Sequence, residues 1–204
     1  MSRDVTKLHP YLQQIIPLLI KDAAAAGLPV LVTDGLRTKA EQNALYAKGR
    51  TAAGSIVTNA RYPDSMHCWG CAFDVCRNVK GREYDDSDAF FEKVAKIAKD
   101  KYHLEWGGDW TSFPDKPHLQ MSGFTISNLK QTWGDPERYL DTWKDIDRPE
   151  FVDVMPDAWY YDDVLWSIKR GLLKGYPDGS FRPDRYITRA ELAAVLHRLV
   201  GDDM

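Results

Sequence analysis

Cysteine is scarce in this sequence. The 204 residues include three cysteines, Cys68, Cys71 and Cys76, and an odd, small number argues against a framework of structural disulfides. The spacing of Cys68 and Cys71 also occurs in thioredoxin-like redox pairs and in half of a zinc finger. No second Cys or His pair follows at finger spacing, and no strand-to-helix redox context surrounds them. We therefore expect three reduced packing residues, with Cys68 a candidate to line the site described below.

Long apolar runs are absent as well. No stretch approaches the ~20 apolar residues that a membrane-spanning helix needs. The polar start, Met1 to Val5, is not followed by the apolar segment and small-residue cleavage site of a secretory signal peptide. The sequence therefore predicts a chain made in a reducing cytoplasm, without a membrane span and without an export signal of its own.

An excess of one charge is missing too. The chain has 27 basic and 30 acidic side chains, a net charge of -3, and residues 1–143 carry equal numbers of each sign. A neutral surface exerts no general attraction on nucleic acid or on an anionic polymer. We therefore expect no nucleic-acid partner, and retention on a surface would need specific contacts.

A compositional break divides the chain. Residues 144–150 are charged, contain a proline and interrupt the apolar pattern before them. A chain of this length accommodates one domain of ordinary size and one smaller unit. We predict a larger domain at residues 1–143, a linker at 144–150 and a small module at 151–204.

Apolar periodicity predicts the elements of the larger domain. Helical spacing indicates a first helix that ends at Gly27, in which Pro17 marks a kink or a late start. The pattern also predicts a buried strand at residues 29–33 and a helix at residues 38–48 that opens with a capping box. A third helix is predicted at residues 87–101. Helices that precede short antiparallel strands give an α+β fold.

Two imidazoles and one carboxylate carry the strongest chemical signal. His67 and Asp74 lie seven residues apart with Gly70 and Ala72 between them, small residues that let the chain bend and pack closely behind a metal. His118 opens an alternating run after a proline, which predicts a short strand. A catalytic zinc uses three protein ligands and leaves the fourth position to water. His67, Asp74 and His118 are therefore the predicted ligands of one zinc ion.

A spare carboxylate accompanies this group. Asp115 lies three residues before His118, near enough to take a proton from an activated water without being needed as a ligand. Glu105 is the rival candidate, but its distance from the ligands depends on the fold. We predict that Asp115 is the general base.

The order of these residues resembles a known family. Ser65-x-His67-x-x-Gly70-x-Ala72-x-Asp74, followed by Asp115-x-Pro117-His118, is similar to the motif of the zinc-dependent LAS peptidases of the M15 family, most closely the L-alanyl-D-glutamate endopeptidases of phage endolysins and bacterial wall hydrolases. The similarity covers roughly residues 7 to 125. Further blocks match in the family's order at residues 33–38, 41–42, 45–50, 56–60 and 104–110.

This resemblance implies a LAS-type domain whose small antiparallel sheet carries the zinc, and an enzyme that cuts the L-Ala-D-Glu bond of peptidoglycan stem peptides. It places Arg37 beside the scissile carbonyl, where a guanidinium would stabilise the oxyanion. Gln42 and Ser65 would bind backbone and carboxylate groups of the peptide, and Trp106 with Trp110 would form the floor of the substrate cleft. Such an enzyme, made without an export signal, would reach the wall after release through a holin-type pore or lysis.

Two alternatives stay open at this point. The same fold would serve a D,D-carboxypeptidase or a D-Ala-D-Ala dipeptidase, whose digestion of muropeptides releases D-Ala instead of exposing a new D-Glu amino terminus. A retired peptidase fold would serve as a non-catalytic wall-binding protein, although the presence of all proposed ligands and of the base argues against it.

The C-terminal module resembles a single S-layer homology (SLH) repeat over about residues 151 to 200. The resemblance implies a small helical module, with two helices joined by a Gly/Pro/Asp turn loop and a secondary cell-wall polymer as its partner. Residues 188–191 predict a capping box at the last helix, and Arg189 would also meet an anionic, pyruvylated sugar. The matching positions are residues 151–154, 159–160, 168 with 171, 175–183 and 187–191.

A single repeat departs from that family, in which repeats commonly come in threes. A unit of ~50 residues has a small core that gains from neighbours. Self-association through the repeat, docking on the larger domain and weak monovalent wall binding therefore all remain open.

Overall fold

The structure is a computed structural model that describes residues 3–142, 151, 153–154, 158–176 and 180–200. The chain divides into two compact units, residues 1–146 and residues 147–204. The predicted linker at 144–150 and the tip of the predicted turn loop, residues 177–179, lie outside the described residues. None of the helices in the described ranges has the length and apolar character that crossing a bilayer requires.

The elements of the described residues follow in chain order. They are α1 (Pro10–Ala25), β1 (Val30–Asp34), α2 (Lys39–Ala47), β2 (Ala72–Arg77), α3 (Phe90–Tyr102), β3 (Leu104–Trp106), β4 (His118–Met121), α4 (Ile126–Trp133), α5 (Pro136–Asp141), α6 (Tyr161–Lys169) and α7 (Arg189–Val200).

Four strands of the first unit form one antiparallel sheet in the order β1-β2-β4-β3. The central strands β2 and β4 are distant in sequence but hydrogen-bonded to each other. Asp74 of β2 pairs with His118 of β4, and Glu105 of β3 pairs with Gln120 of β4. The register therefore gathers residues from three strands at one end of the sheet.

A bulge in β1 adds a further residue to that end. Val32 pairs with Val75, whereas Asp34 pairs with Asp74, so two residues of β1 advance for one residue of β2. Such a bulge locally changes the face to which a strand directs its side chains. Asp34 thereby comes to lie beside Asp74.

The two faces of the sheet differ in chemistry, because alternate residues of a strand point to opposite faces. The apolar positions are buried and consist of Phe73, Val75, Leu119 and Met121. Helices α1 and α3 bury apolar faces of their own and contact β1 and β3, respectively. Burial of each such side chain stabilises the fold by about 1.5–3 kcal/mol. The core thus fixes the register that places Asp74, His118 and Gln120 on the opposite, polar face.

Two helix predictions for the first unit are confirmed. Helix α1 starts at Pro10 and passes through Pro17, so the alternative of a late start is excluded, and it stops just before Gly27. At the start of α2, the capping box between Thr38 and Glu41 is complete.

The predicted start of the third helix is wrong. Helix α3 begins at Phe90 instead of residue 87, because Ala89 has a left-handed backbone (φ 57°) that a right-handed helix cannot include. The side chain of Asp86 accepts the N–H of Phe91 and so replaces the missing helical partner at this end. With its small antiparallel sheet and flanking helices, the first unit nevertheless has the predicted α+β fold.

The second unit has a small core of its own. Phe151, Val154 and Val164 are buried together, and the carboxylate of Asp153 accepts the backbone N–H groups of Phe181 and Arg182, each at 2.6 Å. Helices α6 and α7 are the two predicted helices. The predicted capping box at 188–191 is also present.

Helix α7 leaves its apolar side chains uncovered. No residue of this helix is buried, although an amphipathic helix normally packs its apolar stripe against a core. The exposed apolar residues are Leu192, Leu196, Leu199 and Val200.

Candidate metal centre

Two of the predicted ligands meet because of the strand register. Asp74 and His118 are directly opposite each other in the antiparallel pair of β2 and β4, and side chains in that relation are neighbours on one face. The Oδ1 atom of Asp74 lies 3.2 Å from Nδ1 of His118. The central strands therefore form one edge of the candidate site.

The third predicted ligand comes from a short 3-10 helix, Met66–Trp69, just before β2. Gly70 ends this turn with a left-handed φ of 66°, which glycine adopts without steric cost. Nε2 of His67 lies 3.1 Å from Nδ1 of His118 and 3.2 Å from Oδ1 of Asp74. Burial alone would raise the pKa of Asp74, but when the two imidazoles are protonated their charges and hydrogen bonds hold the pKa well below its usual range.

The resulting triangle of ligand atoms fits a tetrahedral zinc ion. Its edges measure 3.1, 3.2 and 3.2 Å, and zinc bound to nitrogen and oxygen at about 2.0–2.2 Å spaces its tetrahedral ligands about 3.3–3.6 Å apart, slightly wider than these edges. Two imidazoles and one carboxylate also match the donor set of catalytic zinc sites. Within the described ranges, His67, Asp74 and His118 form the group of His, Cys, Asp or Glu side chains close enough to hold a metal.

The backbone fixes the tautomer of His67. Its Nδ1 lies 2.8 Å from the carbonyl oxygen of Gly35, and its own carbonyl oxygen accepts the N–H of Arg37 at 3.1 Å. Because a carbonyl oxygen only accepts, Nδ1 carries the proton and Nε2 keeps its lone pair. His67 therefore presents Nε2 to the centre.

Arg37 bridges two carboxylates. Its Nε donates to Oδ2 of Asp34 at 2.5 Å, its Nη2 donates to Oδ2 of Asp74 at 2.8 Å, and its Nη1 lies 3.4 Å from Oε1 of Gln42. A guanidinium has five N–H donors in a rigid fork, so donors remain for a further partner. Because Arg37 holds Oδ2 of Asp74, Oδ1 is the oxygen that faces the imidazoles.

Asp115 lies beside the triangle with an uncommitted carboxylate. Its backbone N–H donates to the carbonyl oxygen of Gly107 at 2.9 Å, and its carbonyl oxygen accepts the N–H of His118 at 3.2 Å. A Cβ atom on Gly107 would lie 2.5 Å from that carbonyl oxygen, so glycine is needed for this approach. Within the described part of the chain, the carboxylate of Asp115 has no hydrogen bond or ion pair. Burial, and then the charge of Asp74, raise its pKa.

These groups line a cleft of about 1050 Å³. Trp110 lies at its wall with its ring centroid 5.0 Å from that of His118. Ser65 also lines the cleft, and among the described residues its hydroxyl has no hydrogen-bond partner. Both side chains are therefore accessible to a ligand in the cleft.

The structure places two other predicted substrate residues differently. Gln42 is fully buried, with Oε1 facing Arg37 and Nε2 donating to the carbonyl oxygen of Ala60 at 2.7 Å. Trp106 donates from Nε1 to the carbonyl oxygen of Lys116 at 2.7 Å. In this arrangement Gln42 contacts the guanidinium of Arg37, and Trp106 is hydrogen-bonded to the loop that precedes His118.

The sequence is 41% identical over 123 residues to the peptidoglycan L-alanyl-D-glutamate endopeptidase CwlK of Bacillus subtilis (strain 168), a match that spans 56% of this chain and 73% of CwlK. The chain belongs to the M15 peptidase family. An M15 family model described as D-alanyl-D-alanine carboxypeptidase matches residues 58–121, the segment that contains His67, Asp74, Asp115 and His118. The M15 family is metal-dependent, in agreement with the His–Asp–His group found here.

Further similarities extend to a phage protein and to a solved structure. The L-alanyl-D-glutamate peptidase of Listeria phage A118 is 32% identical to this M15 peptidase over 121 residues, 58% of this chain and 40% of the phage protein. The crystal structure of the Serratia marcescens L-Ala D-Glu endopeptidase ChiX covers 58% of this chain and 84% of its own, with 25% identity and a TM-score of 0.45. Residues 150–193 match a model of the S-layer homology domain. Both family resemblances are thus confirmed.

Sequence reasoning missed the groups that support His118 in this M15 peptidase. Nε2 of His118 lies 3.0 Å from Oε1 of Gln120, and Nε2 of Gln120 donates to Oε2 of Glu105 at 2.8 Å. The available signal was the spacing of His118 and Gln120 in a predicted strand, since residues two apart share a face. The place of Glu105 depends on the register of β3 and β4, which the sequence does not specify.

The cysteines take no part in the centre. None of the three forms a disulfide and all are buried, as predicted for packing residues. Cys68 is 1% exposed and is not among the residues that line the cleft, which corrects the expectation that it lines the cleft. Burial raises the pKa of its thiol to about 12, so the reactive thiolate is disfavoured.

Proposed function

We propose that the first unit is a zinc-dependent endopeptidase that hydrolyses the L-Ala-D-Glu bond of peptidoglycan stem peptides. The observation that carries this proposal is the three-ligand triangle with an uncommitted carboxylate beside it, found in a chain 41% identical to an enzyme named for that bond. A non-catalytic wall-binding protein on the same fold would not need three metal ligands, a general base and an open cleft at one place. The proposed activity is therefore catalytic.

The proposed metal ligands are Nε2 of His67, Oδ1 of Asp74 and Nδ1 of His118, the three atoms that form the triangle. A zinc ion bound there would supply a Lewis acid that acidifies water and polarises the scissile carbonyl. Since three protein atoms leave one tetrahedral position open, the site suits catalysis better than a purely structural role.

Asp115 is the proposed general base. Its carboxylate lines the cleft beside the ligands and is uncommitted within the described part of the chain. The raised pKa makes it a stronger proton acceptor than an exposed aspartate. Asp115 would take a proton from the attacking water and return it to the leaving amine. Glu105, by contrast, already accepts a hydrogen bond from Gln120.

Arg37 is proposed to act in two ways. It holds the distal oxygen of Asp74, and its remaining N–H donors would stabilise the oxyanion that develops on the scissile carbonyl. Ser65 and Trp110 are proposed to contact the peptide, because both line the cleft. For Gln42 and Trp106, the proposed part in substrate binding is indirect, through Arg37 and the loop before His118.

The double role of Arg37 predicts a double defect. Arg37→Lys keeps the charge but cannot bridge Asp34 and Asp74, so zinc affinity should fall about 10-fold, as when a group that orients a metal ligand is lost. At saturating zinc, kcat should still fall by about 100-fold or more, because an oxyanion donor is misplaced. Zinc titration and steady-state kinetics measure the two effects separately. Arg138→Lys is the control, because it makes the same chemical change at an exposed position away from the cleft and should alter neither zinc affinity nor kcat. If Arg37→Lys binds zinc as tightly as the wild type, Arg37 does not orient Asp74.

The bond specificity is tested with purified muropeptides. Digestion followed by mass spectrometry should show a new D-Glu amino terminus and no released D-Ala. The second candidate function is a D,D-carboxypeptidase or D-Ala-D-Ala dipeptidase, because the matching family model carries the carboxypeptidase description. Release of D-Ala or of D-Ala-D-Ala, without a new D-Glu terminus, would replace the proposed function by this one.

We propose that the SLH unit holds the enzyme on a secondary cell-wall polymer of a Gram-positive wall. Arg189 is exposed at the start of α7, where its guanidinium could bind a carboxylate-bearing sugar. The uncovered apolar residues of α7 support self-association as a second role of the single repeat. The similarity to a phage peptidase supports access to the wall on lysis.

Removal of the SLH unit should separate binding from chemistry. A chain that ends at Asp145 is expected to cut soluble muropeptides at close to the full-length rate, because the proposed centre lies entirely in residues 37–118. On intact walls it should bind less and act more slowly, since the tail raises the local enzyme concentration at the polymer. Sedimentation with walls, before and after chemical removal of the secondary polymer, tests this. Equal sedimentation of both chains would exclude the anchoring role and leave self-association.

A further inference from the structure

Gln120 on β4 and Glu105 on the neighbouring strand β3 lie next to the metal centre, on the polar face of the sheet. His118 and Gln120 are two residues apart on β4, and Glu105 is the cross-strand partner of Gln120 on β3. The three form a continuous chain, with Nε2 of His118 3.0 Å from Oε1 of Gln120 and Nε2 of Gln120 donating to Oε2 of Glu105 at 2.8 Å. The three-ligand site does not itself require the last two residues.

The chemistry of Glu105 determines the direction of every hydrogen bond in this chain. An ionised carboxylate only accepts, so the atom of Gln120 that faces Glu105 must be the amide NH₂. The amide oxygen of Gln120 then faces His118, where it can only accept. Nε2 of His118 must therefore carry the proton, which leaves the lone pair on Nδ1, the atom that faces His67 and Asp74. This argument holds whichever way the amide is first assigned.

The alternative tautomer would be incompatible with the site. If the amide of Gln120 were reversed, its NH₂ would face Nε2 of His118 and favour a lone pair there. Nδ1 would then carry the proton and point it at the other two ligands. His67 has no such freedom, because its Nδ1 faces the carbonyl oxygen of Gly35, which cannot reverse.

We infer that Glu105 and Gln120 are positioning residues that select the tautomer of His118 and so prepare Nδ1 to bind the metal. The inference rests on the proposed function only in taking His118 as a zinc ligand. Groups that orient a metal-bound imidazole typically change metal affinity by about 10- to 100-fold when lost. Glu105, which also lines the cleft, would thus act on the metal site through Gln120 and His118.

The test measures zinc affinity of the full-length protein by competition with a chromophoric chelator, a measurement independent of catalysis. Glu105→Gln lets the amide of Gln120 rotate, and Gln120→Leu removes the acceptor for His118. Each is expected to weaken zinc binding by about 10- to 100-fold while the thermal unfolding midpoint of the zinc-free protein stays unchanged. Glu92→Gln, an exposed residue on α3, removes the same charge and should bind zinc as the wild type does.

The decisive variant exchanges the two groups. In Glu105→Gln combined with Gln120→Glu, a carboxylate at position 120 again accepts from Nε2 of His118, and an amide at position 105 donates to it. Zinc affinity should return to within about threefold of the wild type, because hydrogen-bond direction is restored. Single variants that bind zinc as tightly as the wild type, or a double variant no better than the singles, would overturn the inference alone. A wild-type chain without zinc affinity would overturn the proposed function as well.

Discussion

Replacing His67, Asp74 or His118 by alanine should abolish zinc binding and peptide hydrolysis together. A three-ligand site that loses one ligand retains two protein atoms, too few to hold zinc in the geometry needed for catalysis. The short edges of the triangle, 3.1 to 3.2 Å, place all three atoms close enough to bind one ion. Each variant is therefore expected to have the same null activity as the metal-free wild type.

This prediction is checked by measuring bound zinc per chain and turnover of muropeptides on the same preparations. His103→Ala is a matched control, because His103 lies at the end of α3 and outside the residues that line the cleft. It should bind one zinc and retain activity. A ligand variant that keeps both zinc and turnover would show that its residue is not a ligand.

The second large effect is expected at Asp115. Asp115→Asn keeps the size and the backbone contacts to Gly107 and His118 but cannot accept a proton. Zinc should still bind, while kcat falls by about two to four powers of ten, the usual contribution of general acid–base catalysis. Asp100→Asn, a change of the same kind at an exposed site on α3, should leave kcat within about twofold because such surface pairs contribute little.

Glu105→Gln distinguishes the two candidate bases. If Glu105 acts only on the tautomer of His118, the variant needs more zinc but recovers most of its kcat when zinc is saturating. Asp115→Asn should not recover at any zinc concentration. The opposite pattern, with normal kcat in Asp115→Asn and a persistent loss in Glu105→Gln, would transfer the role of base to Glu105.

The candidate ligand group could be proposed from the sequence because its signal is local. His67 and Asp74 are separated by small residues at one turn, and His118 opens a strand after Pro117, so spacing and residue type suffice. The structure adds the reason that these segments meet. Asp74 and His118 are paired across β2 and β4, and that pairing depends on apolar residues at alternate positions of both strands.

Other features depended on contacts that a single sequence does not reveal. The bulge that places Asp34 beside Asp74 changes the register of β1 by one residue. No residue type in β1 indicates this bulge in the sequence. The left-handed Ala89 that delays α3 is a conformation that alanine rarely adopts. The family resemblance implied only one role for Arg37, stabilisation of the oxyanion. Its contacts to Asp34 and Asp74 exist only once the sheet has folded, so the sequence did not indicate them.

The central claim is that a single zinc ion held by His67, Asp74 and His118 enables cleavage of the L-Ala-D-Glu bond. The most direct measurement strips the full-length protein of metal, verifies the loss by elemental analysis, and adds zinc stepwise during digestion of purified sacculi. New D-Glu amino termini should be absent at the start and should increase in proportion to zinc until one ion is bound per chain. Termini that form equally fast in the verified metal-free protein would contradict the claim.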